Sequence, residues 1–155
     1  PMEIYRDPIS YFVADFFGSP SMNLIEGTIS SEGSSKWFKF ADFSVSLPQT
    51  YYSVPDGRVT LGVRPEHVFI GSDQASFEMP ITLFEPMGKE TLIYFDYGAE
   101  RNLIAIIDSS RELKAGDQVG IDLHPSSILL FDTSGMRIRG SEKTKSINGQ
   151  HVAAS

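Results

Sequence analysis

Cysteine is absent from the 155 residues, which removes disulfides, thiolate metal sites and cysteine nucleophiles together and fits a reducing compartment. Basic side chains are in the minority, 13 against 20 acidic ones, for a formal net charge of -7. A duplex nucleic-acid binder needs a basic face to replace phosphate counterions, so this balance argues against one. Only three histidines occur, His67, His124 and His151, and no two of them stand at metal-ligand spacing. No apolar run approaches the roughly 20 residues of a membrane helix. The phosphate-cradling loops G-x-x-x-x-G-K-S/T and G-x-G-x-x-G are missing, as are the G-x-S-x-G and H-E-x-x-H motifs. The carboxylates are numerous but scattered, so no glycosidase-type pair can be named.

What remains is a chain that is 41% hydrophobic, long enough for one domain or two small subdomains sharing a core. Asp7 as N-cap, Pro8 at the first helical position and the stripe Ile9, Phe12, Val13, Phe16, Phe17 predict one short helix over Pro8–Phe17. Gly18 and Pro20 stop it. Beyond Pro20 the apolar period changes from helical to two. The alternation predicts ten strands, at Met22–Ser30, Lys36–Phe40, Phe43–Leu47, Arg58–Arg64, Phe77–Phe84, Glu90–Tyr97, Arg101–Ile107, Gln118–Leu123, Ile128–Phe131 and Met136–Arg139. Turn clusters such as Pro55-Asp56-Gly57 and Thr133-Ser134-Gly135 divide them, and the whole reads as an all-β barrel or paired small barrels. From about Ser141 the periodicity ends and large apolar groups become few, which predicts a disordered tail over residues 141–155.

An internal echo runs through this pattern. Val59-x-Leu61-x-Val63-x-Pro65-x-x-Val68 returns sixty residues later as Val119-x-Ile121-x-Leu123-x-Pro125-x-x-Ile128. In each copy a proline, which cannot donate to a ladder, closes an alternating strand. The echo predicts two related β lobes packed side by side. Trp37, Phe38, Phe40, Phe43, Tyr51 and Tyr52 cluster beside Lys36 and Lys39, the combination an OB barrel uses on single-stranded nucleic acid. With only two lysines in an acidic chain, core and interface packing is the preferred reading. Glu66-His67 is read as structural rather than as an acid–base pair. Gly88, within Glu85-Pro86-Met87-Gly88-Lys89-Glu90-Thr91, suits a tight hairpin, while Lys89 and Glu90 are open to a partner or small anion.

Five segments then occur in one order: Pro1-x-Glu3-Ile4-Tyr5-x-x-Pro8, Phe12-Val13-Ala14-x-Phe16-x-Gly18-Ser19-Pro20-x-Met22-Asn23, Leu61-Gly62-Val63-Arg64-Pro65-Glu66-His67, Glu85-x-Met87-Gly88-x-Glu90-Thr91, and Leu130-Phe131-Asp132-x-x-Gly135. Together they resemble the C-terminal portion of ATP-binding subunits from bacterial ABC importers of the maltose, sn-glycerol-3-phosphate and multiple-sugar type. The resemblance implies a mainly β fold, an OB-like/TOBE β-barrel regulatory domain with one short N-terminal helix. It implies that residues 1–20 end the ATPase domain, that 21–140 form the regulatory domain, and that 141–155 are the tail. It implies a cytoplasmic location, peripheral on the inner membrane, with membrane subunits as partners, a homodimer through the regulatory domains and, in some members, a cytosolic regulatory protein. Nucleic acid is not among the partners.

The resemblance also carries roles for single residues. Arg64, Pro65, Glu66 and His67 match the family best, with Arg64 and Glu66 expected to hold polar structure at the junction of the lobes. Gly88 and Glu90 belong to the fourth segment. Phe131 is the aromatic candidate for the dimer contact, with a core role as the alternative. Catalytic, cofactor-binding and metal residues are not expected here, since ATP and magnesium belong to the N-terminal ATPase domain of such a subunit. A non-catalytic regulatory and dimerisation domain is thus the first functional reading. The alternative is a TOBE-type module for an oxyanion such as molybdate, to which Ser126-Ser127 and Lys89-Glu90-Thr91 would contribute donors.

Overall fold

Proline and glycine set where the strands stop, and alternating apolar residues set which face of each is buried. The computed structural model describes Ser10 and residues 21–71, 75–141, 144–147 and 150–152. Among them the first strands are β1 (Asn23–Glu32), β2 (Ser35–Phe40), β3 (Phe43–Ser46), β4 (Gly57–Val63), β5 (Val68–Ile70), β6 (Phe77–Pro80) and β7 (Leu83–Met87). There follow β8 (Glu90–Gly98), β9 (Arg101–Asp108), β10 (Gln118–Leu123), β11 (Leu129–Phe131), β12 (Arg137–Ile138), β13 (Thr144–Ile147) and β14 (Gln150–Val152). All pairings are antiparallel. They build a six-stranded sheet in the order β12-β11-β4-β1-β2-β3, two three-stranded sheets, β5-β10-β6 and β7-β8-β9, and the hairpin β13-β14.

The expected helix over Pro8–Phe17 lies outside the described residues, apart from Ser10, which forms an isolated antiparallel bridge with Met136. Three expectations need correction. The strand expected over Phe77–Phe84 is two strands. Its backbone changes partners at Ile81, whose N–H and C=O bond Asp117 and Gly116, so that β6 joins β10 while β7 joins β8. The period of two continues through such a switch and cannot reveal it. In the tail expected to be disordered, β13 and β14 form a hairpin. The sequence between them is Asn148-Gly149, a strong two-residue hairpin signal that outweighs the lack of alternation.

The third correction concerns the echo. The two copies are present, each a strand, a 3-10 turn and a short strand: β4, Pro65–His67, β5, and β10, Pro125–Ser127, β11. They are not side-by-side lobes. The short strand of each copy pairs with the long strand of the other, β5 with β10 and β11 with β4. Leu61 faces Leu130 and Ile121 faces Ile70, a match under a shift of sixty residues (121 − 61 and 130 − 70). Both turns close with the same bond, from His67 N–H to Arg64 C=O and from Ser127 N–H to His124 C=O, each at 2.9 Å. The interlock is a pseudo-two-fold arrangement within one chain. All four facing residues are buried.

One large apolar cluster draws side chains from β1 through β6, from β8 and β9, and from β10 and β11. Phe40 is its aromatic hub, with ring centroids 5.4–5.8 Å from those of Phe38, Phe43, Phe77 and Tyr97. On the opposite face of the six-stranded sheet a small cluster joins Met22, Leu129 and Phe131, with Leu24 beside it. Gly62 permits this second cluster. A Cβ there would lie 2.7 Å from Met22 Sδ and 2.8 Å from the Phe131 ring.

Two polar contacts fasten the sheets. The Asn23 side chain, 95% buried, acts as a short extra strand: its Nδ2 donates to Ile104 C=O and its Oδ1 accepts from Ile104 N–H, both at 2.8 Å. It thereby ties β1 to β9, two strands of different sheets. At the far end of β1, Asp56 accepts from the Ser31 hydroxyl at 2.7 Å, from Ser31 N–H and from Lys36 Nζ at 3.0 Å each. These bonds, the Ser31 hydroxyl first, hold the Asp56 carboxyl below its ordinary 3.8, at about 2.

Gly62→Ala should destabilise the chain by about 1–3 kcal/mol, the usual range for overpacking, as measured by urea denaturation; an unchanged midpoint would show that Met22 and Phe131 yield freely. The Asp56 contribution is present above its unfolded value of 3.8 and is lost as the pH falls through about 2. Asp56→Asn should therefore flatten the fall in stability across that interval, while leaving the curve above pH 5 parallel to that of the parent.

Candidate functional site

The family-motif segments of the described region lie where strands end and the chain turns, with part of each segment inside the adjoining strand. Pro65 opens the 3-10 turn that ends β4, and this turn packs against β9. Arg64 is 96% buried at that corner, while Glu66 is exposed and His67 half-buried. The pseudo-symmetric corner brings His124 to His67: the His124 N–H donates to His67 C=O at 3.1 Å, and the ring centroids are 6.1 Å apart. His124 Nδ1 shares a 2.8 Å hydrogen bond with the Ser126 hydroxyl, and the exposed Phe69 ring meets His124 edge-on at 5.8 Å. His67 Nδ1 is buried without a hydrogen-bond partner among the described residues. Glu66 and His67, adjacent in sequence, differ in exposure.

The Glu85–Thr91 segment is a tight hairpin. Gly88 has φ +87° at the first central position of a two-residue loop, the geometry of a type II′ turn. Ser109, just past the end of β9, secures it: its N–H donates to Lys89 C=O and its hydroxyl to Gly88 C=O, both at 2.9 Å, and that hydroxyl also meets Thr91 Oγ1 at 2.8 Å. Glu90 lies between Met87 and Asp108 in the sheet and is exposed. The third corner is Leu130-Phe131-Asp132-x-x-Gly135. Asp132 accepts from the N–H groups of Ser134 and Met136, and Gly135 takes φ +84°, closing the turn from β11 to β12.

Phe131 needs correction as the aromatic dimer contact. It is fully buried within the chain, among Met22, Leu129 and Leu24. Of the six rings weighed for base stacking, Phe38, Phe40 and Tyr51 are buried and Phe43 packs half-buried against the core, while Trp37 and Tyr52 are half-buried. Among the described residues the large apolar side chains left outside are Phe69, Leu83, Met87 and Met136. Among the described residues, no three His, Cys, Asp or Glu side chains converge as a metal site, and no helix is long and apolar enough to cross a membrane.

Sequence reasoning missed two features. Asn23 belonged to a quoted motif, yet its role as a backbone surrogate depends on β9, 81 residues away. A cleft of about 690 Å³ between the Gln49–Tyr51 and Pro125–Ser127 turns is lined by Arg137 and Arg139, which lay in an ordinary predicted strand.

Comparison with known proteins agrees with this geometry. Residues 18–68 match the MalK OB fold domain and residues 61–131 match the TOBE domain. The two matches meet at Leu61–Val68, inside the first copy of the echo. The sn-glycerol-3-phosphate import ATP-binding protein UgpC of Yersinia pestis bv. Antiqua (strain Antiqua) is 34% identical over 142 residues, 89% of this chain and 38% of that protein. The protein of the same name from Psychromonas ingrahamii is 30% identical over 139 residues, 85% of this chain and 36% of that protein. The chain thus spans well under half the length of these relatives. Among solved structures, the cytoplasmic molybdate-binding protein ModG with molybdate bound superposes with a TM-score of 0.54 at 13% identity, covering 70% of this chain and 94% of that one. That likeness is one of fold. Both matched domains are β domains, neither is an ATPase domain, and they fit the C-terminal regulatory part of an import subunit. The chain therefore belongs with the MalK OB fold and TOBE domains, and its relatives are import ATP-binding proteins of which it matches a minor part.

Proposed function

We propose that this chain is the non-catalytic regulatory and dimerisation part of the ATP-binding subunit of an importer for sugars or related solutes. In this reading it works on the cytoplasmic face of the membrane, and the subunit's ATPase domain contacts the membrane subunits. The observation that carries the proposal is the interlocked β framework in a chain homologous to a minor fraction of an import ATP-binding protein. A dimer whose ATPase halves open and close needs a contact that persists. A framework whose strands are mutually paired changes shape little and supplies one. A cytosolic regulatory protein would bind the same rigid body from outside.

With Phe131 inside, the apolar contact falls to exposed residues. Leu83 and Met87, 54% and 63% exposed, lie on β7, the free edge of its sheet. Pro86 between them has no N–H to offer, which disfavours continuous strand pairing and leaves side-chain packing as the mode of contact.

Sedimentation velocity across a concentration series tests the assignment. The chain should self-associate weakly and without nucleotide, because a full subunit would add its ATPase contacts to this one. Leu83→Asp with Met87→Asp should weaken association by about 2 kcal/mol, the hot-spot scale. Phe131→Ala should lower the melting temperature and leave association intact. A monomeric parent at several hundred micromolar would remove the dimer claim. Calorimetry should detect no micromolar Mg-ATP site; finding one would remove the non-catalytic assignment.

A further inference from the structure

From the cleft between the two 3-10 turns, we infer a binding site for a small molecule bearing a phosphoryl group, held by Arg137 and Arg139. The cleft, about 690 Å³, is within the range of small-molecule sites. Arg137 lies on β12 and Arg139 one residue beyond its end, on either side of Ile138, which packs on the main core. Both line the cleft, together with the exposed Ser126 hydroxyl and Thr50. The chain carries a net charge of -7, yet the described lining contains two guanidinium groups and no carboxylate. Guanidinium forks match the paired oxygens of a phosphoryl group better than any other cationic side chain does. Each arginine also interacts elsewhere in the chain, so the ligand would share it. The apolar part of the lining, Tyr51, Ile128 and Leu129, suits the body of a small metabolite rather than a bare ion.

The walls are preorganised. Ser141 N–H donates to Thr50 C=O at 2.7 Å, the Thr50 hydroxyl donates back to Ser141 C=O, and the Ser53 and Ser141 hydroxyls meet at 3.1 Å. This strap crosses the Gln49–Tyr51 turn only because residue 140 is glycine; a Cβ there would lie 2.3 Å from Thr50 C=O. Tyr51 fixes the floor through a buried 2.7 Å hydrogen bond to Ile128 C=O. A cleft held open in this way loses little freedom on binding. The inference does not depend on dimerisation or on import.

Thermal shift and amide chemical shifts of the 155-residue chain test it, with inorganic phosphate, glucose 6-phosphate, glucose and sulfate as probes. A ligand at about ten times its Kd should raise the melting temperature by about 3–6 °C in a chain of this size. Saturable shifts are expected with glucose 6-phosphate and, more weakly, with phosphate, centred on the amides of Gln49–Tyr51 and Ser141. Glucose should produce none. Arg139→Gln, at an exposed position, should keep the fold and weaken binding at least tenfold, whereas Arg101→Gln, in the separate cleft beside Glu26, should not. Absence of saturation, equal losses in both variants, or a sulfate response matching that of phosphate would each overturn the assignment.

Discussion

The reciprocal pairing of the two strand–turn–strand copies is the constraint on which the rest of the structure depends. β4 serves β1 on one side and β11 on the other, and β10 serves β5 and β6. Leu61, Ile70, Ile121 and Leu130 face one another across these ladders, so a one-residue slip in either would turn a whole set of core side chains outward. Neither copy can complete its sheet alone. Residues sixty apart in sequence are thus committed to one cooperative unit, and the OB and TOBE matches overlap at Leu61–Val68 because the first copy belongs to both.

Seen from that interlock, several family-motif residues are corner pieces. Gly62 admits Met22 and Phe131, Pro65 ends β4, Gly88 turns β7 into β8, and Asp132 with Gly135 turns β11 into β12. Pro65, Gly88, Asp132 and Gly135 fix the direction in which the chain leaves one strand for the next, and Gly62 lets two apolar side chains pack over its strand.

Much of the fold was legible because period-two alternation and turn residues are local. The echo was visible for the same reason, since Pro65 and Pro125 punctuate identical patterns. Its mode of assembly was not, because side-by-side and reciprocal pairing present the same alternation. The break at Ile81 escaped for a related reason: its cause is the partner backbone at Gly116 and Asp117. Phe131 shows the limit for function. A fully buried ring and an interfacial ring have the same local sequence, and only the position of Gly62 and Met22 opposite it decides between them. Arg137 and Arg139 were invisible as a pair of ligands because the strap that walls their cleft is anchored at Thr50, some ninety residues earlier.

The two copies are alike where they face the core and unlike at their corners, and that asymmetry assigns different work to each. The first corner carries Arg64, Glu66 and His67 and is packed against β9, with Arg64 buried. The second carries His124, Ser126 and Ser127, has no buried residue in its 3-10 turn, and opens onto the cleft lined by the two arginines. Core positions cannot diverge without breaking the shared ladder, whereas a corner is constrained only by what covers it. The covered corner has become part of the framework, and the open one has kept polar side chains accessible to a small molecule. Within one pseudo-symmetric unit, burial therefore separates a corner that serves the chain's own packing from a corner whose polar groups stay open to solvent.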